Sequence, residues 1–277
     1  MTLIQTSVYY EGDKMPVSNV DGLTIRSSGP WIERKYFYLT RYADIFTRAM
    51  GKKWSRGGLT YIDLFAGPGR CLIESKGQER DGSPLIALNY EFSKYIFIES
   101  DKSNMTALRE RCKKSPKFSQ IEFLEGDCNA VIHKVNPTGL SLAFIDPTDI
   151  DIPFDMLTTL TRSRQVDLLL NIQFGMDLRR NFKLYLKEGG ASKLARFLGG
   201  GWEGNKMDSP RDALELFKQR LNEKLSYNTV QFKDVGVRNY GRNTLMYFLV
   251  FASKHPRGLD FWRKITTKDE TGQLELF

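Results

Sequence analysis

The chain has 277 residues, of which 41% are hydrophobic and 12% aromatic, and this composition is enough to bury a substantial core. Its formal net charge of +8 is compatible with a polyanionic partner and equally with simple solubility. The two histidines and three cysteines show no metal-binding or disulfide spacing, which argues against a multi-histidine metal site, a histidine triad and a disulfide scaffold.

Targeting features are few in this sequence. No stretch has the apolar core of a secretory signal, and no run approaches the roughly 20 apolar residues that cross a bilayer. Free cysteines suit a reducing compartment. We therefore expect a cytoplasmic protein that uses neither a membrane nor a metal ion.

The first 58 residues are predicted to form an arm and a helix before the main domain. Residues 1–30 carry glycine, proline, serine and asparagine without a sustained hydrophobic period, which is typical of a loosely ordered arm. Between Trp31 and Met50 the apolar residues recur at helical spacing. That pattern predicts a helix lying against the entrance of the domain that follows.

Strands and helices alternate from residue 59 onward. Ser83-Pro84 should begin a helix, with the serine as N-cap and the proline at the first helical position. A helical insert is predicted at about 176–226, and strands at 230–237 and 245–251 should form an antiparallel hairpin. The remaining predicted strands are 60–65, 95–99, 121–124, 142–146 and 166–172, and the helices between them lie near 83–91, 105–112, 129–134 and 154–160.

This alternation predicts parallel pairing with right-handed crossovers. We therefore expect an α/β, Rossmann-like domain over residues 59–277, functionally a single domain. Its sheet should have seven strands, mostly parallel, and should end in the hairpin. Ligands of such sheets bind beyond the carboxyl ends of the strands, so the chemistry is expected there.

The loop after the first of these strands reads Asp63-Leu64-Phe65-Ala66-Gly67-Pro68-Gly69. Its small residues allow a ligand to approach the backbone closely. A dinucleotide fingerprint would need a third glycine or alanine where Leu72 stands, and no helix begins before Ser83 to receive a pyrophosphate. The loop therefore suits a ligand without phosphates, and the carboxylate of Asp63 suits an amino group. The alternative is a glycine-rich turn with a buried aspartate as its cap.

Acidic residues also stand at or near the ends of the next three strands. Glu99 could accept two hydrogen bonds from a ribose diol, whereas Asp101 is interpreted as a helix N-cap. Asp127, followed by Cys128, could meet the exocyclic amine of adenine or could itself be an N-cap. In Asp146-Pro147 the proline restricts both residues, so the pair could hold a substrate group or could simply end the strand in a turn. Four acidic strand ends together favour a ligand site.

These motifs resemble a known superfamily. The loop at 63–69, followed in order by Glu99, Asp127 and Asp146-Pro147, is similar to the first four motifs of the class I S-adenosylmethionine-dependent methyltransferases. The chain most resembles the three-Cys-motif partner proteins, a bacterial group with a methyltransferase-like fold. Because the three cysteines of that name belong to a neighbouring partner protein, Cys71, Cys112 and Cys128 are not interpreted as the motif. The resemblance covers roughly residues 31–180, and its matching pieces are 31–35, 61–69, 82–88, 95–99 and 144–147.

The resemblance implies a site for S-adenosyl-L-methionine at the strand ends. The catalytic candidates are Asp146, Pro147 and Asp149, because the donor methyl group should point there in this fold. An acceptor amine could hydrogen-bond to Asp146 or to the carbonyl of Pro147, whereas an oxygen acceptor would need a base such as Asp149 or Lys35. The candidate cofactor residues are Asp63, Phe65, Ala66, Gly67, Gly69, Glu99, Asp127, Cys128 and Asp146.

One departure from the pattern leaves the acceptor atom open. Amino-methyltransferases of nucleic acids often carry Asp-Pro-Pro and then an aromatic residue, which stacks on a flipped base. Here the run is Asp146-Pro147-Thr148-Asp149, without an aromatic residue at the fourth position.

Basic residues cluster in three segments: 109–114, 179–183 and around Arg238 and Arg242. The first is interpreted as the solvated face of a helix. The second follows the fifth strand, at the edge that should hold the cofactor. Arg179, Arg180 and Lys183, together with Lys35, are therefore the candidate substrate contacts, with a solvated face as the alternative.

The sequence thus predicts an S-adenosylmethionine-dependent methyltransferase of nucleic acid, either RNA or DNA, with a protein encoded nearby as a further partner. Two alternatives stay open. One is a methyltransferase of a small molecule or protein, and the other is a non-catalytic nucleic-acid-binding module with the same fold. Acids at all four strand ends argue against the second.

Overall fold

The computed structural model of the chain describes residues 16–54, 58–202, 206–239 and 242–267, without the side chains of 234–239 and 242–244. Its strands are β1 (Arg26–Ser28), β2 (Leu59–Asp63), β3 (Arg70–Ile73), β4 (Gln78–Asp81), β5 (Lys94–Glu99), β6 (Ile121–Glu125), β7 (Leu140–Ile145), β8 (Val166–Ile172), β9 (Thr229–Asn239) and β10 (Arg242–Ser253). Its α-helices are α1 (Ile32–Met50), α2 (Ser83–Ala87), α3 (Lys102–Cys112), α4 (Cys128–Val131), α5 (Phe154–Thr161), α6 (Arg179–Glu188), α7 (Lys193–Leu198), α8 (Pro210–Leu225) and α9 (Pro256–Thr266).

The large sheet has the strand order β6-β5-β2-β7-β8-β10-β9. Strands β2, β5, β6, β7 and β8 run parallel, and β10 pairs antiparallel with both β8 and β9. The chain builds outward from β2 to β6 and then returns to β7 on the other side of β2. The switch point of the sheet therefore lies between β2 and β7. This order confirms the predicted Rossmann-like, class I methyltransferase fold with an antiparallel hairpin at one edge.

Helices cover both faces of the sheet, which explains why its central strands read as nearly continuous apolar runs. Tyr38 of α1 and Trp262 of α9 pack on one face. Helix α9 was not predicted from the sequence. On the other face Phe197 of α7 and Phe217 of α8 stack with ring centroids 4.2 Å apart. Within the described residues, no helix has both the length and the apolar character needed to cross a membrane.

The start of α2 differs from the prediction. Gly82, not Ser83, occupies the N-cap position, and the helix ends at Ala87 rather than near residue 91. The Ser83 hydroxyl is instead engaged with the carboxylate of Asp63. A buried carboxylate therefore uses the hydroxyl that the sequence pattern assigned to a helix cap.

Residues 16–28 are ordered against the domain, which corrects the prediction of a loosely ordered arm for the part that the structure describes. Strand β1 pairs parallel with β3, and β3 pairs antiparallel with β4, in a small three-stranded sheet that the sequence did not predict. Cys71 and Ile73 of β3 pack against Ile32 at the start of α1. Residues 1–15 lie outside the described residues.

Candidate active site

The first element of the site is the loop that leaves β2 toward the switch point. Its backbone bridges the two neighbouring strands, because Leu64 N–H donates to Phe144 O at 3.2 Å and Ala66 N–H donates to Ile98 O at 2.9 Å. Asp63, at the end of β2, is fully buried. Burial raises the pKa of its carboxyl to about 7, in part offset by a hydrogen bond with Ser83. Asp63 also accepts a hydrogen bond from Phe65 N–H at 3.3 Å and so supports the loop.

Gly67 and Gly69 have positive φ angles of 63° and 83°, but they serve different purposes. A Cβ atom at Gly69 would lie 2.8 Å from Leu108 Cδ1, so this glycine lets the loop pack against α3. A Cβ atom at Gly67 would meet no atom within 4 Å, so this glycine borders open space. Of these two glycines, Gly67 is therefore the one that leaves room for a ligand beside the backbone.

Glu99 fastens this loop from the end of the neighbouring strand β5. Its Oε2 accepts a hydrogen bond from Gly67 N–H at 2.7 Å, and its Oε1 accepts one from Asp101 N–H at 2.8 Å. Asp101 in turn caps α3 by accepting from Asn104 N–H, as predicted. A carboxylate oxygen can accept two hydrogen bonds, so each oxygen of Glu99 keeps capacity for a ligand hydroxyl.

Asp127 and Cys128 follow β6 at the same edge of the sheet. Asp127 is the N-cap of α4, where its Oδ1 accepts from Asn129 N–H at 2.8 Å and from Ala130 N–H at 3.3 Å. The Cys128 thiol is buried against Met156 Sδ at 3.7 Å, and burial raises its pKa to about 12. Asp127 therefore has a structural role that does not exclude contact with a ligand through its second oxygen.

The centre of the site is a buried ion pair between α1 and the end of β7. Lys35 Nζ lies 2.5 Å from Asp146 Oδ2, and the two side chains are 7% and 8% exposed. Asn171 of β8 donates to Asp146 Oδ1 at 2.6 Å, while its own Oδ1 has no partner among the described residues. Burial alone would raise the pKa of Asp146, but the charges of Lys35 and Arg26 and these hydrogen bonds outweigh it and lower that pKa.

The residues after Asp146 are held by β8 and the helices that follow it. Gln173 Nε2 donates to the carbonyl of Pro147 at 2.9 Å. Asp149 accepts from Lys193 Nζ of α7 at 2.5 Å and from Asp151 N–H at 2.7 Å. Asp149 is therefore paired with a lysine.

A single turn of π-helix, Phe174–Leu178, connects β8 to α6. Such turns recur at functional sites. Asp177 in this turn is buried and accepts from Ile150 N–H at 2.8 Å and from Tyr185 Oη–H at 2.5 Å. The aspartate thus ties the loop after Asp146 to α6.

Arg179, Arg180 and Lys183 occupy the first two turns of α6, and all three side chains are exposed. Phe182 and Tyr185 on the opposite side of the helix are buried. The helix leaves the carboxyl edge of β8, so its basic face begins at the edge that carries Asp146. The side chains of Arg238 and Arg242 lie outside the described residues.

Sequence reasoning missed three polar residues of this site. Asn171 and Gln173 have a visible signal, since they are polar positions at the end of the apolar strand Val166–Ile172. Arg111 was interpreted as part of a solvated helix face, but it is buried. Its burial depends on residues far away in sequence, and no local pattern reports it.

Comparison with known proteins supports the fold but gives no evidence about the function. No family model matches the chain, and no curated protein matches it. Among solved structures, LPL1258 of Legionella pneumophila is 12% identical and aligns with a TM-score of 0.52 over 87% of this chain and 95% of its own. At this identity the likeness concerns the fold alone.

Two methyltransferase structures align with lower scores. The O-methyltransferase TomG of Streptomyces achromogenes, solved with its cofactor, is 10% identical with a TM-score of 0.43, covering 81% of this chain and 80% of its own. The methyltransferase domain of bacterial CtHen1 is 14% identical with a TM-score of 0.41, covering 78% of this chain and 99% of its own. Scores at this level carry no argument about function.

Proposed function

We propose that the chain is an S-adenosyl-L-methionine-dependent methyltransferase that acts on nucleic acid. The observation that supports this is the meeting of two groups at the switch point of the sheet. One is the glycine loop held by Glu99, and the other is the buried pair of Lys35 and Asp146. Open α/β sheets bind their ligands at this point.

The residues of the loop fit S-adenosylmethionine. The open space beside Gly67 accommodates a ligand close to the backbone. Glu99 keeps an acceptor position on each oxygen, which suits the two hydroxyls of a ribose. When bound, this cofactor supplies a methyl group already activated by a sulfonium. The residues proposed to contact it are Phe65, Ala66, Gly67, Glu99 and Asp127. Asp63, Gly69 and Cys128 are buried or packed against neighbouring elements and are proposed to shape the site from within the fold. Asp146 is proposed to act on the acceptor.

The hydrogen bonds at Asp146 favour an oxygen acceptor over an amine. An alcohol can use both members of the pair, because its hydroxyl donates to Asp146 while one of its lone pairs accepts from Lys35. Its second lone pair would attack the methyl carbon as the carbon–sulfur bond breaks, and the hydroxyl proton would pass to Asp146. A neutral amine has one lone pair, which it needs for the reaction, so it cannot use Lys35. Pro147 O already accepts from Gln173, and Asp149 is paired with Lys193. Lys35 and Asp146 are therefore the proposed residues that orient the acceptor.

The basic face of α6 supports a nucleic acid as the substrate. Arg179, Arg180 and Lys183 are exposed on α6, which follows the carboxyl end of β8, and their positive charges suit phosphate groups. We also propose membership in the three-Cys-motif partner family, based on the sequence resemblance over residues 31–180. That membership implies a protein partner encoded nearby.

The test of this function has a binding arm and a reaction arm. S-adenosylhomocysteine should raise the melting temperature of the wild-type protein, since a ligand that binds only the folded state stabilises it. Nucleosides from cells with and without the protein should differ by one methylated species. Asp146→Asn should keep most of the affinity for S-adenosylhomocysteine and should not restore that species.

Three results would each contradict a part of the proposal. A wild-type protein that shows no thermal shift with saturating S-adenosylhomocysteine would remove the cofactor assignment. Unchanged production of the methylated nucleoside by Asp146→Asn would remove Asp146 from the reacting site. A product methylated on nitrogen rather than oxygen would contradict the proposed acceptor.

A further inference from the structure

Arg111 of α3 is a buried arginine that reaches both the glycine loop and the N-terminal segment. Its Nη1 donates to Pro68 O at 2.6 Å and to Thr24 O at 2.8 Å. Its Nε and Nη2 each lie 2.8 Å from a carboxylate oxygen of Asp21, and Nη2 also donates to Leu23 O at 3.4 Å. These contacts use all five N–H groups of the guanidinium.

The segment that Arg111 holds is residues 16–28, here called the strap. A second anchor lies at its beginning, where Ser18 Oγ–H and Asn19 N–H donate to the two oxygens of Glu79 on β4 at 2.6 and 2.7 Å. Its other end is β1, paired with β3. The strap is therefore fixed at several points, which include a hydrogen bond between Thr24 Oγ1 and Ser103 Oγ at 2.8 Å. One of these points, Arg111, also touches the glycine loop.

Arg111 contacts the loop where its backbone is least restricted. Pro68 lies between two glycines with positive φ, and glycine restricts the backbone less than any other residue. The loop is also held by hydrogen bonds with β5 and β7 on the strand side, and by Gly82 N–H, which donates to Gly69 O at 2.8 Å. Arg111 holds the opposite side through the carbonyl of Pro68.

We infer that Arg111 is a positioning residue of the glycine loop and that the strap is a structural part of the ligand site. The guanidinium couples the two, because one nitrogen serves both Pro68 and Thr24. The hydrogen bond from Arg111 also lowers the pKa of Asp21 well below its usual range, so the coupling is intact at neutral pH. The link to S-adenosylmethionine rests on the proposed function, whereas the coupling of strap and loop does not.

The coupling can be tested without ligand by hydrogen exchange. Arg111→Met should increase exchange in both the strap and residues 64–70. Glu79→Gln weakens the anchor at the beginning of the strap and an ion pair with Arg70, whose Nη1 lies 3.5 Å from Glu79 Oε2, but it leaves the contact with Pro68 in place. It should therefore increase exchange in the strap and leave residues 64–69 at the wild-type level. Exchange in β8 should stay at the wild-type level in both variants and reports whether the domain remains folded.

Ligand affinity then tests the positioning role. Arg111→Met should weaken binding of S-adenosylhomocysteine about tenfold, because the hydrogen bond that holds Pro68 O is lost and the ligand must then order the loop itself. Arg111→Lys should recover part of this affinity, since an ammonium can still donate to Pro68 O. The matched control is Arg109→Met, on the same helix, whose guanidinium lies 4.5 Å from the Phe123 ring centroid and whose loss should leave affinity unchanged.

The outcomes separate the two proposals. If the wild type binds no S-adenosylhomocysteine, the proposed function fails, but the exchange pattern still tests the coupling. If Arg111→Met releases the strap while exchange in residues 64–70 stays at the wild-type level, Arg111 does not position the loop. Equal ligand affinity of Arg111→Met and the wild type also overturns the inference. If Arg111→Met raises exchange in β8, Asp21→Asn replaces it, and the same joint increase in the strap and residues 64–70 is required.

Discussion

The ammonium of Lys35 and the carboxylate of Asp146 lie 2.5 Å apart in a site that is almost closed to solvent, although 111 positions separate them in the chain. Lys35 comes from a helix that precedes the sheet, and Asp146 ends the strand next to the switch point. A charge buried in this way is tolerated only when an opposite charge and further hydrogen bonds compensate it. Asn171 supplies the further hydrogen bond.

Removing one partner of this pair should destabilise the protein strongly. We expect Lys35→Met to lower the free energy of unfolding by about 3–5 kcal/mol, because it leaves Asp146 buried without its counter-charge. The double variant Lys35→Met/Asp146→Asn should be more stable than Lys35→Met alone. Urea unfolding of the wild type and both variants at neutral pH measures these free energies. A double variant that is less stable than the single one would show that the pair is not coupled.

Glu99 should contribute to binding of the cofactor. Glu99→Ala should reduce the stabilisation by S-adenosylhomocysteine by about 1–3 kcal/mol, the value of a lost hydrogen bond to a charged group. Thermal unfolding over a range of ligand concentrations measures this effect. Glu125→Ala is the matched control, because Glu125 is the residue paired with Glu99 in the neighbouring strand β6. Equal stabilisation of Glu99→Ala and the wild type would remove Glu99 from the site.

The basic face of α6 should govern the salt dependence of nucleic-acid binding. Replacing Arg179, Arg180 and Lys183 by alanine should reduce the slope of log K against log salt by about 0.7–0.9 for each lost phosphate contact. Fluorescence anisotropy with labelled RNA and DNA at several salt concentrations measures the slope. The control triple variant changes Lys102, Lys113 and Lys114, which are exposed at α3. If both triple variants keep the wild-type slope, the α6 face is only a solvated surface.

Asp167 lies near the amino end of β8, at the edge of the sheet opposite the proposed site. It should make the stability of the protein depend on pH. Burial raises its pKa from 3.8 to about 6, partly offset by hydrogen bonds with Ser253 and Tyr42. The folded state therefore holds this proton more tightly than the unfolded state. The resulting stabilisation is fully present below pH 4 and is lost as the pH rises to about 6.

The variant Asp167→Asn isolates that contribution, because it cannot titrate. Between pH 4 and pH 7 its free energy of unfolding should rise relative to the wild type by up to about 3 kcal/mol. Urea unfolding of both proteins at each pH measures the difference. A difference that stays constant over this range would show that Asp167 titrates normally in the folded protein.

Much of the fold follows from local patterns. The periodicity between Trp31 and Met50 predicted α1 almost to the residue, and the apolar run at 166–172 coincides with β8. The small sheet of β1, β3 and β4 escaped prediction because its strands have three or four residues, of which most are partly exposed. Short strands of this kind depend on pairing partners, which a local pattern does not contain.

The sequence by itself determined the order of strands and helices, the acids at the strand ends and the glycine loop, because hydrophobic periodicity and turn residues act over a few neighbouring positions. The tertiary structure decided which of these polar groups meet. It joined Lys35 to Asp146 and Arg111 to Asp21 and Pro68, and it assigned Ser83 to Asp63 instead of to a helix cap. The physical reason is that a buried charge needs compensation from whichever side chain the packing brings within hydrogen-bond reach, and packing is a property of the whole fold.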